Sequence, residues 1–223
     1  MICADDFGLE QEINFAIIDL VEKKQIQAVS ILIDASHLTP DSVEIIKSKD
    51  ILLGLHLDLF KRNPFKNFWR AIFYPDQLKS EIHRQLNLFI HRFKKHPDYL
   101  DGHMHCHIYP FFSKVILQVL SKNIKLRSVI LDQRLLQTKM GPKILYLNFL
   151  NFLGQRFYLK AKKTHQFLNH KILGVFAGHA NTADLMIFKS DSDLLFIHPA
   201  KYSGPEKLTQ LQQQRASDYE IFQ

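Results

Sequence analysis

Carboxylate and imidazole side chains occur at four places where a short apolar run of the chain ends. They are Asp5 and Asp6, His56, the cluster His103, His105 and His107, and His198. One carboxylate and two imidazoles can bind a divalent metal ion with coordination positions left open, and such an ion polarises a carbonyl group and lowers the pKa of a bound water. A remaining carboxylate and histidine could then transfer protons. This set of residues therefore predicts metal-assisted hydrolysis.

Asp5 and Asp6 are adjacent at the end of the first apolar run. Consecutive strand residues point to opposite faces, so the two can share one task only if the strand has already begun to turn. One would bind a metal ion and the other would handle a proton. The alternative is a turn followed by a helix cap, because aspartate is common at both.

The histidines differ in how strongly they indicate a metal site. Three histidines in five residues are unusual in a hydrophobic core, so at least one of His103, His105 and His107 is expected to bind a metal ion. They would share a face in a strand, and a turn would break that arrangement. His56 alone in an apolar strand is more often a hydrogen-bonded core residue.

Strand and helix patterns alternate about seven times along the chain. Predicted strands end at Asp5 and Asp6 or cover residues 27–34, 51–59, 126–131, 174–178 and 194–200. Residues 97–110 are predicted to be a strand that runs into a histidine-rich turn. Predicted helices cover residues 9–24, 40–48, 76–96, 111–122, 181–190 and most of 133–171. Such alternation implies parallel strands joined by right-handed crossovers, in a single domain over residues 1–223.

A closed TIM-barrel-like (β/α) barrel with about seven parallel strands and an open doubly wound sheet both fit this pattern. The barrel is favoured because reactive residues end at least four strands, and those ends converge on one face of a barrel. No glycine fingerprint for phosphate follows any predicted strand, which argues against a nucleotide-binding open sheet. The aromatic and basic residues 60–75 look like an inserted lid.

Composition sets the limits of this interpretation. The chain has 223 residues and only two cysteines, Cys3 and Cys106, which is typical of a reducing compartment. No signal peptide or membrane-spanning run is evident, so a soluble cytoplasmic protein is expected. The net charge of +7 could indicate nucleic acid, an anionic membrane or a basic surface. Because the basic residues form no dense block, nucleic-acid binding is not expected.

Four motifs together resemble those of the YdjC-like carbohydrate deacetylases, which include the chitooligosaccharide deacetylases. In chain order the motifs are Ala4-Asp-Asp-Phe-Gly8, Gly54-Leu-His56, Asp101-Gly-His103-Met-His-Cys-His107 and Ile197-His-Pro199. The resemblance spans residues 1–200 and implies a (β/α) barrel. It also implies the removal of acetyl groups from N-acetylglucosamine-containing sugars, hence a carbohydrate N-deacetylase that acts on a linear amide.

The resemblance assigns roles to individual residues. Asp6, His56 and His103 match the metal ligands, Asp5 matches the catalytic base, and His198 matches the catalytic acid. His105 and His107 would then contact the substrate or support the ligands, and Arg127 could bind sugar hydroxyls. Magnesium is the metal that the family implies, whereas two imidazoles suit Zn²⁺, Mn²⁺ or Co²⁺ at least as well.

The chain departs from the family pattern at several positions. Cys3 stands in place of the usual Asn, Gly102 in place of Ser, and Ala200 in place of Gly. The chain also ends soon after Arg215, where family members tend to continue through another helix. None of these changes removes a proposed ligand or proton carrier, but they leave the sugar unspecified.

Two alternatives belong to other functional classes. A metal-dependent phosphohydrolase would use similar ligands, although it normally needs Arg or Lys near the metal, and none flanks the four strand ends in sequence. A non-catalytic sugar-binding barrel is the other, and the complete set of proposed catalytic residues argues against it. The expected partner is a small N-acetylated sugar, and a homodimer stays open.

Overall fold

The computed structural model describes residues 1–59, 69, 72–131, 142–173, 193–203 and 208–223. Within these residues the chain forms one parallel sheet of seven strands. The strands within those residues are β1 (Ile2–Phe7), β2 (Ala28–Ile31), β3 (Leu52–Leu57), β4 (Tyr99–Gly102), β5 (Lys125–Leu126), β6 (Lys171–Leu173) and β7 (Asp193–Ile197). They are almost entirely buried, as expected for a parallel sheet covered by helices.

The sheet curls toward a barrel. Its strand order is β5-β4-β3-β2-β1-β7-β6, and every pairing is parallel. Two isolated parallel bridges, Leu126 to Phe167 and Leu131 to Ile172, connect the chain at β5 with the chain at β6. The predicted (β/α) arrangement is therefore confirmed as a curled, half-barrel sheet, and the carboxyl ends of the central strands lie on one side.

Helices connect the strands and cover the sheet. They are α1 (Gln11–Glu22), α2 (Pro40–Lys47), α3 (Pro75–Phe93), α4 (Pro110–Val119), α5 (Pro142–Ala161) and α6 (Gln210–Phe222). Proline opens α2, α3 and α4, where its missing N–H costs no hydrogen bond. The Thr39 side chain caps α2, and Thr209 with Gln212 forms a capping box at the start of α6.

The chain after β4 does not continue as a strand. Residues His103–Ile108 form a short 3₁₀ segment, in which Met104 and His105 have positive φ values of 52° and 57°. β4 ends at Gly102, and this left-handed turn lies within the histidine cluster itself. It breaks the strand register that would have placed the three histidines on one face.

Several predicted elements are shorter than expected or lie outside the described residues. β5 has only two residues, and beyond it only Leu131 of the predicted strand 126–131 makes a further bridge. The predicted strand 174–178, the helix 181–190 and most of the proposed lid 60–75 lie outside the described residues. β6 is observed just before that predicted strand, at Lys171–Leu173.

Helix α3 confirms the prediction for residues 76–96. Leu78, Ile82, Leu86, Phe89 and Phe93 are buried, while His83, His91 and His96 are exposed. Among the described helices, none combines the length and apolar character needed to cross a bilayer.

Candidate active site

The carboxyl ends of the central strands open into a cavity of about 230 Å³. Asp5 and Asp6 come from β1, His56 from β3, and His198 follows β7. Every residue predicted for the site except His107 lines this cavity. Tertiary structure thus brings predicted site residues together from five chain segments that the sequence keeps far apart.

An irregularity in β1 allows both aspartates to face this cavity. Asp6 has a positive φ of 68°, and the pairing of β1 with β2 shifts register between Ala4 and Phe7. A regular strand would send Asp5 and Asp6 to opposite faces. The strand has therefore begun to turn at Asp6, which is the condition under which both carboxylates can serve one site.

Asp6, His56 and His103 place three ligand atoms within 4.8 Å of one another. Asp6 Oδ1 lies 3.0 Å from His103 Nδ1 and 3.5 Å from His56 Nε2. One carboxylate oxygen and two imidazole nitrogens are a suitable donor set for a divalent first-row metal ion. The site therefore fits a metal ion, although these donors alone do not distinguish one such ion from another.

Asp101 holds His56 in the orientation that such a site needs. Its Oδ1 accepts a hydrogen bond from His56 Nδ1 at 2.7 Å, because Asp101 and His56 are register partners on β4 and β3. This bond leaves Nε2 directed toward Asp6. A carboxylate that fixes the second nitrogen of a ligating histidine is a common support of metal sites.

Without a metal ion, the surroundings of His56 favour the positively charged form of its imidazole. Burial would lower its pKa, but the Asp101 charge and the hydrogen bonds to Asp101 and Asp6 raise the pKa to about 10. Burial would likewise raise the pKa of Asp6, yet its hydrogen bonds to His103 and His56 hold that pKa well below the usual range. The metal-free site is thus an ion cluster.

Arg127 lies beneath Asp5 as its counter-ion. Its Nη1 and Nη2 atoms donate to the two oxygens of Asp5 at 2.6 and 2.7 Å, and Nη1 also lies 2.8 Å from Asp101 Oδ2. Only 1% of Arg127 is exposed. Burial would raise the pKa of Asp5, but the guanidinium outweighs burial and holds that pKa far below its usual range.

The contacts of Arg127 argue against a second metal site and change the interpretation of Arg127 itself. Asp5, His56 and Asp101 also lie close enough to suggest a metal cluster, but the Arg127 guanidinium already pairs with both carboxylates. Arg127 is no surface cation, and its engagement with Asp5 and Asp101 favours a positioning role over direct sugar contact. Its predicted role in binding the substrate stays a prediction.

Arg215 brings a second guanidinium to the cavity from α6. Its Nη2 lies 3.0 Å from Asp6 Oδ2, and its Nη1 lies 3.6 Å from Glu10 Oε1. The two oxygens of Asp6 are therefore divided, with Oδ1 toward the histidines and Oδ2 toward Arg215. No arginine flanks the four strand ends in sequence, but Arg127 and Arg215 reach the cavity from distant segments of the chain.

His198 lines the cavity with its ring packed edge-on against Phe196. Its backbone N–H donates to Asp218 Oδ2 at 2.9 Å, so α6 also supports this loop. No hydrogen-bond partner is present for its buried Nδ1 atom within the described residues. Burial lowers the pKa of His198, while the Asp6 and Asp5 carboxylates partly oppose that change.

The other two histidines of the cluster, His105 and His107, are more deeply buried than His103. His105 lines the cavity against Phe196, and burial together with the Arg127 charge lowers its pKa to about 3. His107 is fully buried, does not reach the cavity, and lies with Nε2 3.0 Å from the Arg127 carbonyl oxygen. Contact of His107 with substrate has no support in this arrangement.

Two departures from the family pattern fit their surroundings. Cys3 Sγ lies 3.2 Å from the Tyr99 hydroxyl and 3.6 Å from Asp5 Oδ1, within a buried polar network beneath the site. A Cβ atom on Gly102 would lie 2.5 Å from Cys106 Sγ, so this chain has no room there for a side chain.

Sequence reasoning missed Asp101 and Arg215 as members of the site. Asp101 had a signal, because it ends β4 two residues before His103 within a motif already singled out. Arg215 had no such signal, because the sequence of a polar C-terminal helix does not indicate that one of its side chains reaches Asp6. Fold and site together define an α/β protein whose strand ends form a candidate metal centre beside an aspartate and a histidine.

Comparisons with known proteins agree with this class. The family model described as YdjC-like protein matches residues 1–223, so the chain belongs to the YdjC-like family. A Danio rerio protein named carbohydrate deacetylase is 27% identical over 144 residues, which are 54% of this chain and 46% of that protein. A Xenopus laevis protein of the same name is 22% identical over 147 residues, 55% of this chain and 47% of that one.

The chain spans about half the length of the curated relatives it matches. Among solved structures, an Enterococcus faecalis protein provisionally described as a cellobiose-phosphate cleavage protein superimposes with a TM-score of 0.63. It is 16% identical, and the match covers 100% of this chain and 89% of that one. At this identity the likeness supports the fold alone.

Proposed function

We propose that this protein is a metal-dependent hydrolase that removes acetyl groups from N-acetylated sugars. The observation that carries the proposal is the cavity itself, in which Asp5 and His198 lie beside the Asp6, His56 and His103 cluster. Membership of the YdjC-like family and the name carbohydrate deacetylase of two relatives support the same reaction.

A divalent ion held by Asp6, His56 and His103 would act as a Lewis acid toward the acetyl group and the attacking water. Asp5, kept ionised by Arg127, accepts the proton of that water. His198 donates a proton to the sugar nitrogen, because an amide nitrogen leaves poorly as an anion. Asp101 keeps His56 in place through its hydrogen bond to Nδ1.

The same cavity offers apolar surfaces to the substrate. Phe196, Met104 and Tyr146 line it beside the polar residues, and a sugar ring or an acetyl methyl group packs well on such side chains. His105, neutral over the working pH range, is placed to accept or donate a hydrogen bond to a sugar hydroxyl.

Both arginines are already engaged by carboxylates, which argues against a phosphohydrolase. Arg127 pairs with Asp5 and Asp101, and Arg215 pairs with Asp6 and Glu10. A phosphoryl group would have to displace one of these partners to gain a guanidinium contact.

The decisive experiment measures acetate and inorganic phosphate together. The metal-stripped protein is given Mg²⁺, Mn²⁺, Co²⁺ or Zn²⁺ in turn, with a panel of N-acetylated sugars and of sugar phosphates. We expect metal-dependent release of acetate that Asp5→Asn protein does not show. Release of phosphate without acetate, or no turnover while the metal binds, would overturn the proposal.

A further inference from the structure

Helix α5 (Pro142–Ala161) is apolar on both of its faces. Its inner face packs into the core through Leu147, Leu150, Leu153 and Phe157. Its outer face leaves four large apolar side chains in solvent. Their exposed fractions are 74% for Leu145, 49% for Phe149, 54% for Phe152 and 57% for Leu159.

These four residues form one continuous stripe. They lie three or four positions apart, or seven between Phe152 and Leu159, so a helical period places them on one side of α5. A contiguous apolar surface on a soluble protein marks a site of contact with a partner or membrane. The inner face alone accounts for the packing of α5, so the outer stripe needs another explanation.

The charge around the stripe is of one sign. Residues 142–171 contain no aspartate or glutamate, and their basic residues are Lys143, Arg156, Lys160, Lys162, Lys163 and Lys171. Arg156 lies on the stripe itself, with its guanidinium 5.5 Å from the centre of the Phe152 ring. Lys160, Lys162 and Lys163 are exposed at the end of α5. The face is therefore apolar along its centre and positive in its C-terminal half, among the side chains described.

We propose that the outer face of α5 docks on the surface of an anionic lipid bilayer. The leucine and phenylalanine side chains would enter the boundary between headgroups and acyl chains, while the basic residues would contact anionic headgroups. Because no described helix can cross a membrane, α5 would lie along the surface and not through it. This inference is independent of the reaction proposed for the cavity.

Two other occupants fit these observations less well. A second copy of the chain would bring two faces of the same positive sign together, at the cost of like-charge repulsion. A nucleic acid would attract the basic residues but has no apolar phase to receive Leu145, Phe149 and Phe152. An anionic bilayer accounts for both the exposed apolar side chains and the positive charge of this face.

The position of α5 also determines the orientation of the bound protein. Tyr146, next to Leu145 at the start of the stripe, lines the cavity. A protein that docks through this face therefore holds its cavity close to the headgroup layer.

The test is cosedimentation of the full chain with vesicles. One set is phosphatidylcholine alone, and the other contains about one-third phosphatidylglycerol. The apolar variant is Phe149→Ser with Phe152→Ser, and the charge variant is Lys160→Glu with Lys163→Glu. The matched control is Phe15→Ser, which removes a 55% exposed phenylalanine from α1, a helix that carries Glu12, Asp19 and Glu22.

We expect binding to the anionic vesicles that falls as salt is raised. The apolar and charge variants should each weaken that binding by roughly tenfold or more, and the control should not. Circular dichroism and the midpoint of thermal unfolding verify that the variants are folded, which surface positions permit.

Three results would overturn the proposal. The first is no binding to anionic vesicles, and the second is binding that both variants leave unchanged. The third is a dimer, seen by light scattering, that the apolar variant dissociates while vesicles bind neither protein. Deacetylation measured on a water-soluble sugar should be equal in the variants and the natural chain, so failure of lipid binding and failure of the proposed reaction are separate outcomes.

Discussion

Arg127 donates hydrogen bonds to both carboxylate oxygens of Asp5, at 2.6 and 2.7 Å, although the two residues are 122 positions apart in the sequence. The pair is buried, and the same guanidinium also lies 2.8 Å from Asp101 Oδ2. Asp5 is therefore held ionised and in a fixed orientation toward the cavity. Its neighbour Asp6 has no contact with Arg127 among those described, and instead faces two histidines and Arg215.

Replacement of Asp5 by asparagine should separate proton transfer from metal binding. Asp5→Asn removes the proton acceptor but leaves Asp6, His56 and His103 intact, so activity should fall by roughly 10²–10⁴-fold. Metal content, measured by elemental analysis, should match the natural chain. Asp5→Asn protein that has lost its metal would show that the roles of Asp5 and Asp6 are exchanged.

Removal of the Arg127 charge should destabilise the fold. Arg127→Met removes the buried guanidinium that pairs with Asp5 and Asp101, and breaking a buried pair costs about 3–5 kcal/mol. Urea unfolding at neutral pH measures the loss. The matched control is Arg84→Met, because Arg84 pairs with Asp34 and Glu81 at a partly exposed site and should cost only about 0–1 kcal/mol. Equal losses would contradict the importance of burial.

Metal binding should depend on His56 and His103 together with Asp6. His56→Ala or His103→Ala should abolish it, since each removes one of three converging donors. His91→Ala, on the exposed side of α3, is the control and should bind metal normally. His107→Ala should also retain the metal, because His107 does not reach the cavity. A structure with His105 or His107 bound to the ion would refute this ligand set.

Metal binding should also release a proton near pH 8. The pKa of His56 is raised to about 10 in the metal-free protein, so this imidazole is protonated at pH 8 and must become neutral to bind a metal ion. Calorimetric titration in two buffers of different ionisation enthalpy counts the protons released. We expect about one proton per ion at that pH. No release would mean that His56 is already neutral before the metal binds.

The role of His198 can be tested through pH and through the leaving group. Burial lowers its pKa, so its protonated form, which a general acid requires, is lost at a lower pH than the usual value of about 6.5. The kcat/KM for an N-acetyl sugar should therefore fall as pH rises through that pKa, and His198→Gln should lose this limb. The same variant should slow an amide more than an activated ester. Equal losses on both would show that His198 positions the substrate.

Much of the fold was predictable because its elements are specified locally. Apolar runs bounded by polar residues indicated most of the strands, and the stripe on α3 indicated a long helix. The shortness of β5 was not predictable, because the apolar run 126–131 is as consistent with a longer strand as with isolated bridges.

The sequence by itself determined which chemical groups end the strands, since Asp5, Asp6, His56, His103 and His198 lie where local apolar runs stop. Only the tertiary structure decided which groups meet. The register of β3 with β4 brings Asp101 to His56, and the left-handed backbone of Asp6 turns its carboxylate into the cavity. Arg215 reaches Asp6 across 209 positions of sequence. Local patterns report burial and backbone preference, whereas a pair such as Arg127 and Asp5 depends on strand order and helix packing, which arise only when the whole chain folds.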